Sequence, residues 1–125
     1  MVINERSEKA LKGVHPDLIR VVRQAALGSP FPFIITEGLR TIERQRILFA
    51  QKLSRTMNSR HITGHAIDFV PVVDGEITWK SPAFSLVIAV FKKAAADLGV
   101  SIVSGGDWRS FKDFPHIELD RKVYP

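Results

Sequence analysis

Apolar residues recur at helical spacing in two long segments of the chain and cluster at strand spacing in several shorter ones. Pro16 is placed to open a helix running to about Leu27, because proline is tolerated at a first helical position. Leu18, Val21, Val22 and Ala25 then share one face, and Gly28-Ser29-Pro30 closes the segment. Ser81-Pro82 begins the longest helix, which reaches about Leu98 and stops at Gly99. Its stripe of Phe84, Val87, Ile88, Phe91, Ala95 and Leu98 is core packing. A third helix is predicted from Thr41 to about Lys52, with Thr41 as cap and Glu43 in the first turn. Its inward face, Ile42, Gln45 or Arg46, Phe49 and Leu53, is a weak stripe, so this helix is expected to be largely exposed. Ser7 to Lys12 forms at most a short helical turn that ends near Gly13.

Strand-like runs lie between these helices. Phe33 to Thr36 reads as a buried strand that delivers Glu37 to Arg40 at its end. Ala66 to Val70 reads as a second, with Asp68 on the face of Ala66 and opposite Ile67 and Phe69, and with Pro71 ending or edging it. Asp74-Gly75 suggests a tight turn between strands near 69–73 and 76–79, with Trp79 covering the core. Val100 to Val103 leads into Ser104-Gly105-Gly106, where the glycines are expected to allow a sharp turn. His116 to Leu119 resembles a last strand with His116 and Glu118 on one face, so Glu118 is either a partner that orients an imidazole or a surface carboxylate. The tail from Asp120 to Pro125 is polar and expected to fray. Mixed helices and short strands indicate an α+β class, a small antiparallel sheet with packed helices.

Composition narrows the function classes. The 125 residues fit one domain, here taken as 1–125 without a separate binding module, and 45% hydrophobic with 25% charged residues is ordinary for a globular chain. The absence of cysteine excludes disulfides and thiolate metal sites. A net charge of +5 favours polyanions at long range, but the Lys and Arg residues are dispersed, and no recognisable nucleic-acid module is present. Nucleic acid is therefore not the expected partner. Met1 to Arg6 lacks the pattern of a secretory signal, and no stretch approaches the ~20 apolar residues of a membrane span. The expectation is synthesis in the cytoplasm with no stable membrane insertion.

The chemistry-bearing residues concentrate in two stretches, Ser59 to Asp68 and Asp113 to His116. A catalytic zinc takes three protein ligands and keeps a fourth position open, and imidazole nitrogens with a carboxylate oxygen suit it. His61, Asp68 and His116 supply such a set. Asp113, three residues before His116, can face the same cavity without ligating and act as general base. Two histidines alone are more often packing than ligation; four suitable groups in two linked motifs reverse that weighting. His15 lies outside both stretches and is read as structural or surface.

The first stretch matches S-x-H-x-x-G-x-A-x-D through Ser59, His61, Gly64, Ala66 and Asp68. In this it resembles the zinc-dependent peptidoglycan peptidases, the group of the VanY-like D,D-carboxypeptidases. Gly105 to Leu119, with Asp113-x-x-His116, and Leu11 to Leu18 resemble the L-alanyl-D-glutamate endopeptidase branch of phage and bacteria. The resemblance implies a Hedgehog/D,D-peptidase-like fold, Zn2+ on His61, Asp68 and His116, and Asp113 as catalytic base and acid. It also implies that Arg40, in Gly38-Leu39-Arg40, steadies the oxyanion, although relatives often carry an aromatic residue where Leu39 stands. Ser59 and Trp108 are assigned to substrate binding, with Trp108 and Phe111 supporting the metal loop or a substrate wall. His65 falls on a position the motif leaves free. The implied activity is cleavage of peptidoglycan stem peptides between L-alanine and D-glutamate by a monomeric phage-type endolysin. It would reach the wall through a separate membrane-permeabilising protein. The alternatives are a D,D-carboxypeptidase of the same group and a zinc-containing wall-binding domain without turnover.

Overall fold

The computed structural model describes residues 1–110 and 112–125. The helices are α1 (Glu5–Ala10), α2 (Pro16–Gly28), α3 (Ile42–Ala50) and α4 (Ser81–Leu98). The strands are β1 (Phe33–Glu37), β2 (Ala66–Val73), β3 (Glu76–Ile77), β4 (Ile102–Ser104) and β5 (His116–Leu119), with a 3-10 turn at Gly105–Asp107. β1, β2, β5 and β4 pair side by side, antiparallel throughout, and β3 extends the far end of β2.

The helix ends follow from local chemistry. Asn4 accepts a hydrogen bond from Ser7 N, so α1 starts two residues earlier than its apolar pattern suggests. Ser7 is itself buried, and its hydroxyl accepts from Ile35 N on the outer edge of β1. His15 caps α2 through Nδ1, which accepts from Asp17 N. α4 occupies the predicted span and ends at Gly99 in the left-handed conformation (φ 69°).

One face of the sheet makes the core. Leu18, Val21, Val22 and Ala25 of α2 are all fully buried, as are Val87 and Phe91 of α4. Phe33, Phe69, Phe84 and Phe91 form a ring cluster with centroids 5.1 to 6.3 Å apart in tilted and edge-on geometry. Because strand side chains alternate, Ile67 and Ile117 join this core while Asp68, His116 and Glu118 project from the opposite face.

Some expectations are narrowed and others corrected. Of the two roles read for Pro71, the structure has the second: β2 runs past it to Val73, the end expected for this strand, with Pro71 on an edge. The proline nitrogen removes no ladder bond there: β5 pairing has ended at the Phe69 N to Pro115 O bond, and the Pro71 carbonyl accepts from Thr78 N. Asp74 (φ 54°) and Gly75 (φ 78°) make the expected turn, but β3 is only two residues long. The chain leaves the sheet before Trp79, which is 69% exposed instead of covering the core. On α3, Ile42 and Phe49 are exposed, as is Leu53 beyond its end, and Gln45 is the buried residue. Gly105 and Gly106 have no left-handed φ; Gly105 is needed because a Cβ there would strike the Asp113 carbonyl. The tail is held, not frayed: Tyr124 donates to Asp17 Oδ2 at 2.7 Å, and buried Arg60 donates to the Tyr124 carbonyl at 2.5 Å.

Candidate metal centre and active site

Sheet register brings two of the three predicted ligands together. Asp68 on β2 and His116 on β5 are direct cross-strand partners. A slip of one residue would turn both into the core, so the burial of Ile67 and Ile117 locks the pair on the open face. His61 comes from the loop before β2. Its backbone carbonyl accepts from Arg40 N, and its own N–H donates to Ser59 Oγ at 3.2 Å. Gly64 shapes that loop: its φ is +75°, and a side chain there would collide with the Gly13 carbonyl.

The three side chains converge. Asp68 Oδ1 lies 3.3 Å from His61 Nε2 and 3.5 Å from His116 Nδ1. One ligand atom from each residue falls within 4.8 Å of the others. Asp68 Oδ1 is buried and has no hydrogen-bond partner, as suits an oxygen that ligates a cation. The donor set, the orphaned oxygen and the convergence of the three groups therefore fit a metal ion.

The far nitrogen of each imidazole is tied down. His61 Nδ1 donates to the Gly38 carbonyl at 2.9 Å, leaving Nε2 toward Asp68. His116 Nε2 donates to Glu118 Oε1 at 2.8 Å, leaving Nδ1 inward. The two rings thus present opposite nitrogens to one centre, the arrangement in which outer partners set tautomer and ligand basicity. Glu118 has the orienting place its alternation with His116 suggested.

Electrostatics sort the carboxylates. Burial alone would raise the Asp68 carboxyl, but the His116 and His61 rings beside it outweigh burial and hold it far below the usual range. Burial would lower His116, but the Asp68 and Glu118 carboxylates push it up to about 9. Asp113 is raised, first by burial and then by the nearby Asp68 charge. It sits in a turn held by two backbone bonds, Asp113 N to Gly105 O and His116 N to Asp113 O, each 3.0 Å.

Arg40, Ser59, His61, Asp68, Trp108, Asp113 and His116 all line one cavity of about 1250 Å³. Trp108 packs its ring 5.1 Å from that of His116. Ser59 is bonded to the His61 backbone, so its visible work is to shape the ligand loop. Phe111 lies outside the described residues. His65 is not with the metal group: its Nδ1 meets Thr63 Oγ1 at 2.7 Å, and its ring packs 5.4 Å from His15. Arg40 is buried, with Nε donating to Glu37 Oε1 at 2.6 Å, Nη1 to Gln45 Oε1 at 2.7 Å, and Nη2 3.8 Å from Asp68 Oδ2. Glu37 and Gln45 were not singled out from sequence. Glu37 could have been found as an acid three residues before Arg40, whereas the weak α3 pattern put Gln45 or Arg46 inward without deciding between them or naming a partner.

Comparison with known proteins places this geometry in a family. The model of the phage L-alanyl-D-glutamate peptidase family matches residues 1–125. The L-alanyl-D-glutamate peptidase of Escherichia phage T5 is 38% identical over 124 residues, covering 96% of this chain and 90% of that protein. The crystal structure of the Serratia marcescens L-Ala D-Glu endopeptidase ChiX superposes with a TM-score of 0.93 at 41% identity, covering 97% of this chain and 91% of that one. The vancomycin resistance D,D-dipeptidase VanXYg, solved with a D-Ala-D-Ala phosphinate analogue, shares the fold at a TM-score of 0.55 and 15% identity, covering 85% of this chain and 50% of that one. Among the described residues, no helix is long and apolar enough to cross a membrane.

Proposed function

The chain belongs to the phage L-alanyl-D-glutamate peptidase family, and from that premise we propose that it hydrolyses the amide bond between L-alanine and D-glutamate in peptidoglycan stem peptides. The observation that carries this reading is the convergence of His61, Asp68 and His116 in a cavity that Asp113 also lines. Zinc is the ion proposed for the three ligands. When bound it would supply Lewis acidity at the scissile carbonyl and lower the pKa of water to about 7.

The chain's own groups carry the remaining work. Asp113 accepts the proton of the attacking water and returns it to the leaving amine, a role suited to a carboxyl whose pKa is raised. Arg40 turns its Nη2 edge to Asp68 and is assigned to the developing oxyanion. Trp108 forms a flat wall beside His116 for the peptide, and Ser59 borders the substrate while fixing the His61 loop. Lys52, Lys112 and Arg121 also line the cavity, a charge pattern suited to an acidic peptide. In this reading residues 1–125 are one catalytic domain that acts as a monomer on the wall, as an endolysin released by a separate membrane-permeabilising protein. The D,D-carboxypeptidase alternative draws only on fold likeness, and a binding domain without turnover would have no use for Asp113 in the cavity.

The test is digestion of purified peptidoglycan followed by mass spectrometry of the products. New L-alanine carboxyl and D-glutamate amino ends are expected, abolished by a chelator and restored by zinc. Asp113→Ala should keep zinc and lose cleavage. Release of terminal D-alanine instead would overturn the assigned bond, and full cleavage by Asp113→Ala would remove Asp113 from its role.

A further inference from the structure

The buried side chain of α3 is a polar one. Gln45 is fully buried, while Ile42, Ile47 and Phe49 on the same helix are about half exposed. The helix is therefore anchored to the body through an amide and not through an apolar face. All the hydrogen-bonding capacity directed inward is used: Gln45 Oε1 accepts from Arg40 Nη1 at 2.7 Å, and Nε2 donates to Ser54 Oγ at 2.7 Å and to the Thr56 carbonyl at 2.5 Å. The amide orientation is unambiguous, because a guanidinium can only donate and a carbonyl can only accept.

This amide joins two parts of the cavity. On one side is the Arg40 guanidinium, whose Nε edge is fixed by Glu37 and whose Nη2 lies beside Asp68. On the other are Ser54 and Thr56, which line the cavity wall. Without an acceptor at Nη1, a guanidinium that is only 8% exposed would hold an unpaired donor, and pivoting toward Glu37 would relieve it. That pivot would withdraw Nη2 from Asp68.

We propose that Gln45 is a positioning residue for the reaction, holding the Arg40 guanidinium beside Asp68 and coupling it to the 54–56 wall of the cavity. The proposal rests on the reading of Arg40 as an active-site group.

Two substitutions separate the roles. Gln45→Met removes the acceptor at nearly constant volume, and Gln45→Glu keeps an acceptor for Arg40 while losing the donors to the wall. With purified muropeptide, Gln45→Met is expected to lower kcat about 10- to 100-fold, since a displaced positioning group costs that much, with KM within about threefold. Bound zinc per chain should not change. Gln45→Glu should recover part of kcat, with the remaining deficit reporting the lost hold on the 54–56 wall. Independently of turnover, the Arg40 guanidinium protons of the metal-free protein, followed by NMR, should exchange slowly in the wild type, and about tenfold or more faster in Gln45→Met. If Gln45→Met does not yield folded protein, Ser54→Ala takes its place, with a smaller change expected in the same two readouts. Unchanged kcat and unchanged Arg40 exchange would overturn the proposal. So would a parallel loss of folded fraction in both Gln45 variants at constant activity per folded molecule. Failure of the wild type to cleave muropeptide would sink the peptidase reading, while Arg40 exchange in the metal-free protein would still decide the positioning claim.

Discussion

Glu118→Gln isolates what the outer carboxylate does for the metal centre. The substitution keeps the shape of the side chain and an oxygen facing His116 Nε2, now 2.8 Å away, but removes the charge. A charge-assisted hydrogen bond is roughly twice as strong as a neutral one, so its loss should weaken the hold on the imidazole by about 1–1.5 kcal/mol. For the neutral imidazole, that is at pH above the His116 titration, this corresponds to about a tenfold weaker zinc affinity, at the lower end of the 10- to 100-fold range typical of such outer partners; nearer neutral pH the easier loss of the His116 proton offsets part of it. Competition with a chromogenic chelator would measure the affinity, and kcat at saturating zinc should stay within a few fold. The metal-free protein gives a second readout. His116 is raised to about 9 by Asp68 and Glu118, working against burial. A group raised in the folded state adds stability that is complete below its unfolded value of 6.5 and disappears as pH climbs through the folded value. Glu118→Gln should therefore bring the His116 titration down and reduce the stability lost by the metal-free protein between neutral pH and about 9. Unchanged zinc affinity together with an unchanged His116 titration would refute the orienting role. Loss of kcat at full zinc occupancy would show that Glu118 acts on the reaction itself.

Other outcomes follow from the same geometry. Zinc binding at pH 7–8 should release at least about one proton, that of His116, with a further fraction from metal-bound water, as measured by calorimetry in buffers of different ionisation enthalpy. Asp113→Asn should abolish cleavage yet raise the melting temperature of the metal-free protein at pH 7. The Asp113 carboxyl is pushed up by burial and by Asp68, so its contribution is present below 3.8 and lost as pH rises; the gain should vanish in strong acid. Gly64→Ala forces a left-handed residue, at roughly 1–2 kcal/mol, and adds a clash with the Gly13 carbonyl, so melting should fall by at least about 3 °C. His61→Ala should remove stoichiometric zinc and the stabilisation zinc gives, checked by metal analysis and thermal melts with and without zinc.

The elements best read in advance were those whose spacing states their environment. The apolar period of α4 with Gly99 after it, the α2 face opened by Pro16, and the alternation around Asp68 each encode a local geometry that survives into the fold. The poorly read elements were those held by partners distant in sequence. α3 looked weakly amphipathic because its anchor is an amide reaching Arg40 and the 54–56 loop. The tail looked free because Asp17 and Arg60, which hold Tyr124, are far back in the chain. Trp79 looked like core because the shortness of β3 depends on how far β2 can pair.

By itself the sequence determined the candidate ligand types, their order and the family to which they point, since His61, Asp68 and His116, with Asp113 beside them, sit in two motifs whose chemistry is local. Only the tertiary structure decided which nitrogen of each imidazole faces the centre, that Glu118 and the Gly38 carbonyl make that choice, and that Glu37 and Gln45 hold Arg40. Those assignments depend on distances between strands and loops that the chain acquires when β2 and β5 pair in register. Residue type sets what a group can bind, but only packing sets which of its atoms is free to do so.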